Sequence, residues 1–309
     1  MRAAPKMKRT ALGVALLAVL AACGGGGSPS APRTAAPSSV SGWPVGTTVQ
    51  LLSGDTAAPV AGDLIIAGAH VQAGVPLATA APPGVTVDVP LAGFLSRQTM
   101  VRAGETRLTL WPDTTTFPGS YTQALVYTDT DGTTAPLQRL PNRVHTVAVT
   151  VGAGVDEATV RSGIDNLNVG SVPAGVRYQL GGTGDLTVPT RFDPRADTCA
   201  GDADVLAFAR VWTSSASEIT QAEVTFCRSD AVYQVGVAAH ELGHTFGLNH
   251  SPVAHDLMAA YATRSGSEVP TPNECLAMRL MEQRRPGTAW PDNDRDAKAA
   301  ALRRLTIID

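Results

Sequence analysis

The chemistry this sequence can do is concentrated in one stretch: His240-Glu241-Leu242-Gly243-His244-Thr245-Phe246-Gly247-Leu248-Asn249-His250. On a helix, positions four apart differ by roughly 400°, so His240 and His244 leave the same face one turn apart. Two imidazoles set this way can share one Zn2+ at about 2.0–2.1 Å from each nitrogen. Glu241 is rotated roughly 100° from His240, too far to join a compact ligand set but near enough to reach a water on the metal. On a continuing helix His250 would fall on the wrong side, so the chain has to turn. Gly247 permits that turn, because glycine accepts the left-handed conformation at a helix end, and Pro252 stops the helix from resuming. Three neutral nitrogens leave a fourth zinc position open, as in a reactive rather than a closed structural site. A helical histidine pair alone is more often a surface coincidence; the added Glu, Gly and third His at fixed spacing single this segment out.

The elements that must hold these residues are readable as an α+β pattern. The site helix is expected to start near Ser229 or Asp230 and to run through Val232, Val235, Ala239 and Leu242 to His244. Ahead of it, Ala222-Glu223-Val224-Thr225-Phe226 alternates like a strand. Residues 144–151, 176–180 and 206–212 read as further strands, and Asp156 caps a short helix with Val160, Ile164 and Leu167 on one face. After the site, Thr271-Pro272-Asn273-Glu274 is a capping box with proline at the first helical position, followed by the apolar pair Leu276 and Leu280. Residues 43–142 differ in character. Short β-type runs such as Thr48-Val49-Gln50-Leu51-Leu52, Val85-Thr86-Val87-Asp88-Val89 and Thr106-Arg107-Leu108-Thr109-Leu110 alternate with Gly and Pro turns, which predicts a β-sandwich. The 22 prolines and 30 glycines of the 309-residue chain fit that abundance of turns.

Before the sandwich lies an address rather than a fold. Arg2, Lys6, Lys8 and Arg9 form a basic start, and residues 11–22 form an apolar run well short of the roughly 20 residues a spanning helix needs. The run ends in Leu20-Ala21-Ala22-Cys23, followed by four glycines and Ser28. This resembles the lipobox of bacterial lipoproteins, which implies acylation of Cys23, export, and attachment to the cell envelope by lipid alone. Residues 1–22 then form the signal peptide and residues 23–42 a flexible Gly/Ser/Ala/Pro-rich linker. With 44% hydrophobic and 17% charged residues the rest is a globular chain. A net charge of −3, made more acidic by loss of those four basic residues, and the lack of any later basic run exclude nucleic acid as a partner. In an oxidising compartment Cys199, Cys227 and Cys275 allow one disulfide. Cys199–Cys227 is favoured because the two flank a nearby strand-rich stretch, with Cys227–Cys275 as the competitor.

The spacing of the site is also a family signature. HExxHxxGxxH resembles the metzincin clan of zinc peptidases. Ser251 directly after the third histidine, and Asp256-Leu257-Met258 eight residues on, resemble the Met-turn of the matrixin branch. The resemblance implies a metzincin-type catalytic domain over residues 143–309, with a twisted sheet and an active-site helix. His240, His244 and His250 are the implied ligands of one catalytic Zn2+, Glu241 the general base, and Met258 a hydrophobic floor beneath the metal. Tyr261, one position off the usual matrixin tyrosine, is a candidate donor to a developing oxyanion. The implied substrate is a peptide or protein lying extended along an edge strand at residues 222–226, with residues 259–265 lining the specificity pocket. A second, structural zinc is not expected, since His70, His145 and His255 are the only other histidines. Nor is latency through a prodomain cysteine, because Cys23 is the sole cysteine upstream. Asp129-Thr130-Asp131-Gly132 and Asp202-Ala203-Asp204 have calcium-ligand residue types, but surface turns account for them better. Gly93-Phe94-Leu95-Ser96-Arg97-Gln98-Thr99 with Leu110-Trp111-Pro112 resembles a transthyretin-like sandwich. A rival from another class is a non-catalytic zinc-containing surface lipoprotein that binds a partner through its β-rich part; Glu241 beside an open metal position speaks against it.

Overall fold

The computed structural model of the chain describes residues 42–129, 132–201, 204–260, 267–295 and 303–308. Its first part is built from seven short strands: β1 (Gln50–Ser53), β2 (Pro59–Val60), β3 (Asp63–Ile66), β4 (Ala69–Gln72), β5 (Thr86–Val89), β6 (Arg97–Met100) and β7 (Arg107–Leu110). They make two small sheets, ordered β2-β1-β7 and β4-β3-β5-β6. Alternation explains the packing, because Leu64 and Ile66 of β3, Val87 and Val89 of β5, and Leu108 and Leu110 of β7 meet Trp43 and Leu51 in one apolar cluster. The strand runs read from sequence thus appear within a residue or two of their expected places.

The stretch up to residue 142 is not all strand. Residues Gly119–Tyr127 form helix α1, with Tyr121, Thr122, Leu125 and Val126 buried. Those positions repeat at three to four residues, the spacing of a helix face rather than a strand. From Trp111 onward the side chains join a second, larger cluster instead of the first, including Phe117, Tyr121, Leu125, Leu137 and Leu140.

That larger cluster sits around a six-stranded sheet. Strand β8 (Thr146–Val151) leads to helix α2 (Glu157–Ser171), then β9 (Arg177–Leu180), β10 (Leu186–Phe192) and a short helix α3 (Asp197–Gly201). Strands β11 (Ala207–Thr213) and β12 (Ile219–Phe226) form a hairpin, and helix α4 (Val235–Phe246) follows. Helix α5 (Pro272–Glu282) and strand β13 (Arg303–Ile308) complete the chain, giving the sheet order β13-β11-β12-β10-β8-β9. Strands β9, β8, β10 and β12 run parallel, whereas β11 and β13 are antiparallel to their neighbours. Val147, Ala148 and Val149 of β8 are all buried, as expected where a parallel strand is covered on both faces. Asp156 caps α2 by accepting the backbone N–H of Thr159 at 2.8 Å. At α5 both halves of the predicted capping box are made by Thr271 and Glu274.

One expectation is overturned by the sheet order. Residues 222–226 belong to β12, which lies between β11 and β10 and has no free edge to which a peptide could add. Period-2 alternation reports which side chains face the core, not how many neighbours a strand has, so sequence alone could not place this strand at an edge.

The two sheet systems are tied together by charge-assisted bonds. The Arg284 guanidinium pairs with both oxygens of Asp292 at 2.6 and 2.8 Å and donates to the Thr109 carbonyl of β7 at 2.7 Å. It also lies over the Trp111 ring, 5.3 Å from its centre. Cys199 and Cys227 are joined, with Cα atoms 5.2 Å apart, and Cys275 is a free thiol. The bridge spans a sequence separation of 28 residues, for which loop-closure entropy predicts about 3.6 kcal/mol of stabilisation. Replacing both cysteines by serine should lower the unfolding free energy by that amount in urea titrations, while an unchanged midpoint would show that the bridge constrains nothing.

Candidate metal centre

The site depends on where α4 starts, stops and turns. The spacing predicts a helix start near Ser229; instead a single 3-10 turn occupies Ala231–Tyr233 and the α-helix begins at Val235. Gln234 between them is extended and offers no side-chain cap. The helix is held mainly by burial, since every residue from Val237 to Phe246 is buried. It ends at Gly247, whose φ of +114° lies in the region that side-chain-bearing residues avoid. A Cβ there would come within 2.4 Å of the Gln138 carbonyl oxygen. This glycine reverses the chain as its spacing predicts and brings His250 back to the helix.

His240, His244 and His250 converge, one ligand nitrogen from each lying within 4.8 Å of the others. Ring centres are 4.7 Å apart for His240 and His244, 5.6 Å for His240 and His250, and 5.0 Å for His244 and His250. Two carbonyls set the tautomers. Nδ1 of His240 is 2.5 Å from the Leu257 oxygen, and Nδ1 of His244 is 2.8 Å from the Leu248 oxygen. A carbonyl can only accept, so each Nδ1 carries the proton and each Nε2 keeps a lone pair. The two Nε2 atoms face one another at 3.0 Å. Lone pairs at that distance repel unless a cation lies between them, and three neutral imidazole nitrogens are a donor set that zinc accepts. The residues therefore fit a zinc ion. Glu241 is fully buried on the same helix, and His240 and His244 are buried beside it.

Beneath the imidazoles the chain is clamped from two sides. Met258 is fully buried. A Cβ on Gly243 would lie 2.5 Å from its sulfur, so glycine is what lets the methionine pack directly under the helix. The Glu274 carboxylate, also fully buried, accepts from the Met258 N–H at 2.6 Å and the Leu257 N–H at 3.2 Å. It also takes the Thr271 N–H and hydroxyl at 2.7 and 2.9 Å. Burial outweighs these donors and pushes its carboxyl above the ordinary carboxylate range. On the other side, Asp256 accepts from the Ser251 hydroxyl at 2.5 Å and from the Tyr121 hydroxyl at 2.6 Å, linking the residue after His250 to α1. Burial, and then that carboxylate, raise the Tyr121 phenol well above its usual value.

Sequence spacing did not assign Glu274 or Tyr121 to the site, and Asp256 entered it only within the Met-turn resemblance, with no role of its own. Glu274 carried a signal as the N3 residue of a capping box, but its second set of partners comes from a loop distant in sequence. Tyr261, and most of residues 259–265, lie outside the described residues, as do Cys23 and the whole leader. The two acidic turns are described only in part, without Thr130, Asp131, Asp202 and Ala203. His70, His145 and His255 are all exposed. Among the described residues no helix is long and apolar enough to cross a membrane.

A buried helical histidine pair and a third histidine returned by a glycine turn make a cluster that could hold a metal ion, with Met258 packed against Gly243 of the same helix. Residues 181–274 match the matrixin family, from just after β9 through the histidines to Glu274, so this part of the chain is matrixin-like. No curated protein matches the sequence. Among solved structures, the chain is similar to the metalloproteinase-II from Bacteroides fragilis at 14% identity and a TM-score of 0.31, over 65% of this chain and 77% of that one. It is also similar to the GM1-bound form of the ECX AB5 holotoxin at 12% identity and a TM-score of 0.36, over 56% of this chain and 93% of that one.

Proposed function

We propose that the protein is a zinc-dependent endopeptidase of metzincin type that cleaves peptide bonds, exported and held at the bacterial cell envelope by a lipid on Cys23. The observation that carries the reading is the facing pair of imidazole Nε2 atoms, both fixed by carbonyls behind them, with Glu241 buried on the next position of the same helix. His240, His244 and His250 would hold the ion. Zinc bound there supplies Lewis acidity toward a carbonyl oxygen and lowers the pKa of a coordinated water. Glu241 takes a proton from the attacking water and returns it to the leaving amine. The Leu257 and Leu248 carbonyls orient their imidazoles and make them better donors. Met258 and Gly243 keep the floor of the site dry and apolar. Tyr261 is assigned the role of donor to the oxyanion on the strength of its place after the Met-turn.

Export and anchoring are supported by the basic start, the apolar run and the Ala-Ala-Cys ending, and the Cys199–Cys227 bridge suits an oxidising compartment. The accessory unit of transthyretin-like type, read over residues 43–142, has its own apolar cluster from Trp43 to Leu110. A digest of a peptide library by the purified ectodomain, with and without chelator, tests the activity. Chelator-sensitive cleavage restored by zinc is expected, and cleavage indifferent to chelator, or none at all, defeats the reading. Because the ligands must be neutral to bind, zinc should also leave as pH falls through the imidazole range. Metal content measured after dialysis at stepwise lower pH checks this; full occupancy at pH 4 is incompatible with a three-histidine site.

A further inference from the structure

The sheet has two edges, and they are not equivalent. Strand β9 closes one end, beside α2. The other end is nearest the candidate metal centre, because α4 packs against β11 and, less closely, β12. An extended peptide near the imidazoles would find its backbone partners along β11. That edge is taken. Strand β13 pairs with β11 antiparallel over six positions, from Phe208 opposite Ile308 to Thr213 opposite Arg303. Its residue Ile307 lines one small cavity together with Val211, Gly247 and His244.

Strand β13 has the marks of an occupant rather than a structural member. Ile307 is 4% exposed, yet among the described residues it belongs to none of the hydrophobic clusters, whereas Ala207, Val211, Ala222 and Val224 of the neighbouring strands are in the main one. A backbone ladder of six register positions joins β13 to β11, and a single strand held at a sheet edge in this way is the kind of segment that opens at low cost. Its sequence, Arg303-Arg304-Leu305-Thr306-Ile307-Ile308, is β-prone and ladder-forming. An exposed β11 edge would be a template for any strand, and a tethered one wins by its high local concentration.

We propose that β13 is an intramolecular occupant of a peptide-docking edge on β11, which a substrate peptide must displace to lie along the metal centre. The proposal builds on the peptidase reading for its kinetic readout, but the docking edge is testable without turnover. Along a strand, successive N–H groups point to opposite sides, so one of any two neighbours donates to β11. In the full chain, the double substitution Leu305→Pro and Thr306→Pro removes that donor whichever it is. A tail docked nine-tenths of the time raises the apparent KM about tenfold, so the variant should show KM for a fluorogenic peptide lowered about tenfold with kcat unchanged. In the unaltered chain, an excess of capped synthetic peptide with the sequence of residues 303–308 should accelerate amide exchange of the chain's own 303–308 severalfold, while β11 stays protected. An unchanged KM in a folded variant, or β13 amides that remain equally protected under excess peptide, overturns the proposal. If neither chain shows chelator-sensitive cleavage, the peptidase reading falls, and the exchange measurement still decides the docking edge.

Discussion

Glu241→Ala should leave zinc bound stoichiometrically and lower kcat/KM by about 10²–10⁴-fold, the range attributable to a positioned proton-transfer group. The two observables separate because the ligand set is complete without this residue: the converging nitrogens belong to His240, His244 and His250. Glu241 is nonetheless fully buried in α4, next in sequence to the first of them. Glu241→Gln is the near-isosteric control, keeping the volume but not the ability to accept a proton. Metal analysis beside a progress curve with a fluorogenic peptide settles the matter. Turnover within tenfold of the parent, with zinc in place, would assign the proton to another group.

A different failure is expected of Glu274→Ala. The carboxylate of this side chain holds the N–H groups of Leu257 and Met258, and the Leu257 carbonyl in turn faces Nδ1 of His240. Truncation orphans two buried N–H groups at about 1–3 kcal/mol each, so a loss near 4 kcal/mol is expected in denaturant unfolding. Freed from its clamp, the Leu257 carbonyl should hold His240 less well, and zinc affinity should fall about 10–100-fold, as for other partners behind a metal ligand. The pH dependence has a definite sign. Burial lifts this carboxyl above its unfolded value, so between the two values the folded chain binds more protons and its stability falls as pH rises. Glu274→Ala should abolish that slope. A variant that unfolds at the parent's midpoint and competes for zinc equally well would show that the Met-turn stands without the clamp.

Much of this site was legible before any coordinates. The i, i+4 histidines, the glycine turn and the third histidine follow from local geometry: helix periodicity fixes a face, and one residue type relieves a left-handed strain. The Asp156 cap and the Thr271–Glu274 capping box were readable for the same reason, since donors and acceptors three residues apart meet within one helical turn. Helix α1 escaped because it is only nine residues long and its flanks carry turn signals, so nothing nearby marked it off from the strands before it.

What chain order and periodicity determine is therefore the histidine triad, its adjacent carboxylate and most of the elements that present them. Tertiary structure alone decided which strand borders the site, that β13 covers it, and that Glu274, Asp256 and Tyr121 brace the loop beneath the imidazoles. The division has a physical cause. Contacts within a turn depend on spacing, which the sequence states outright, whereas strand neighbours and clamps such as Tyr121 to Asp256 join residues far apart in the chain, and only the packed core chooses among the many pairings that spacing allows.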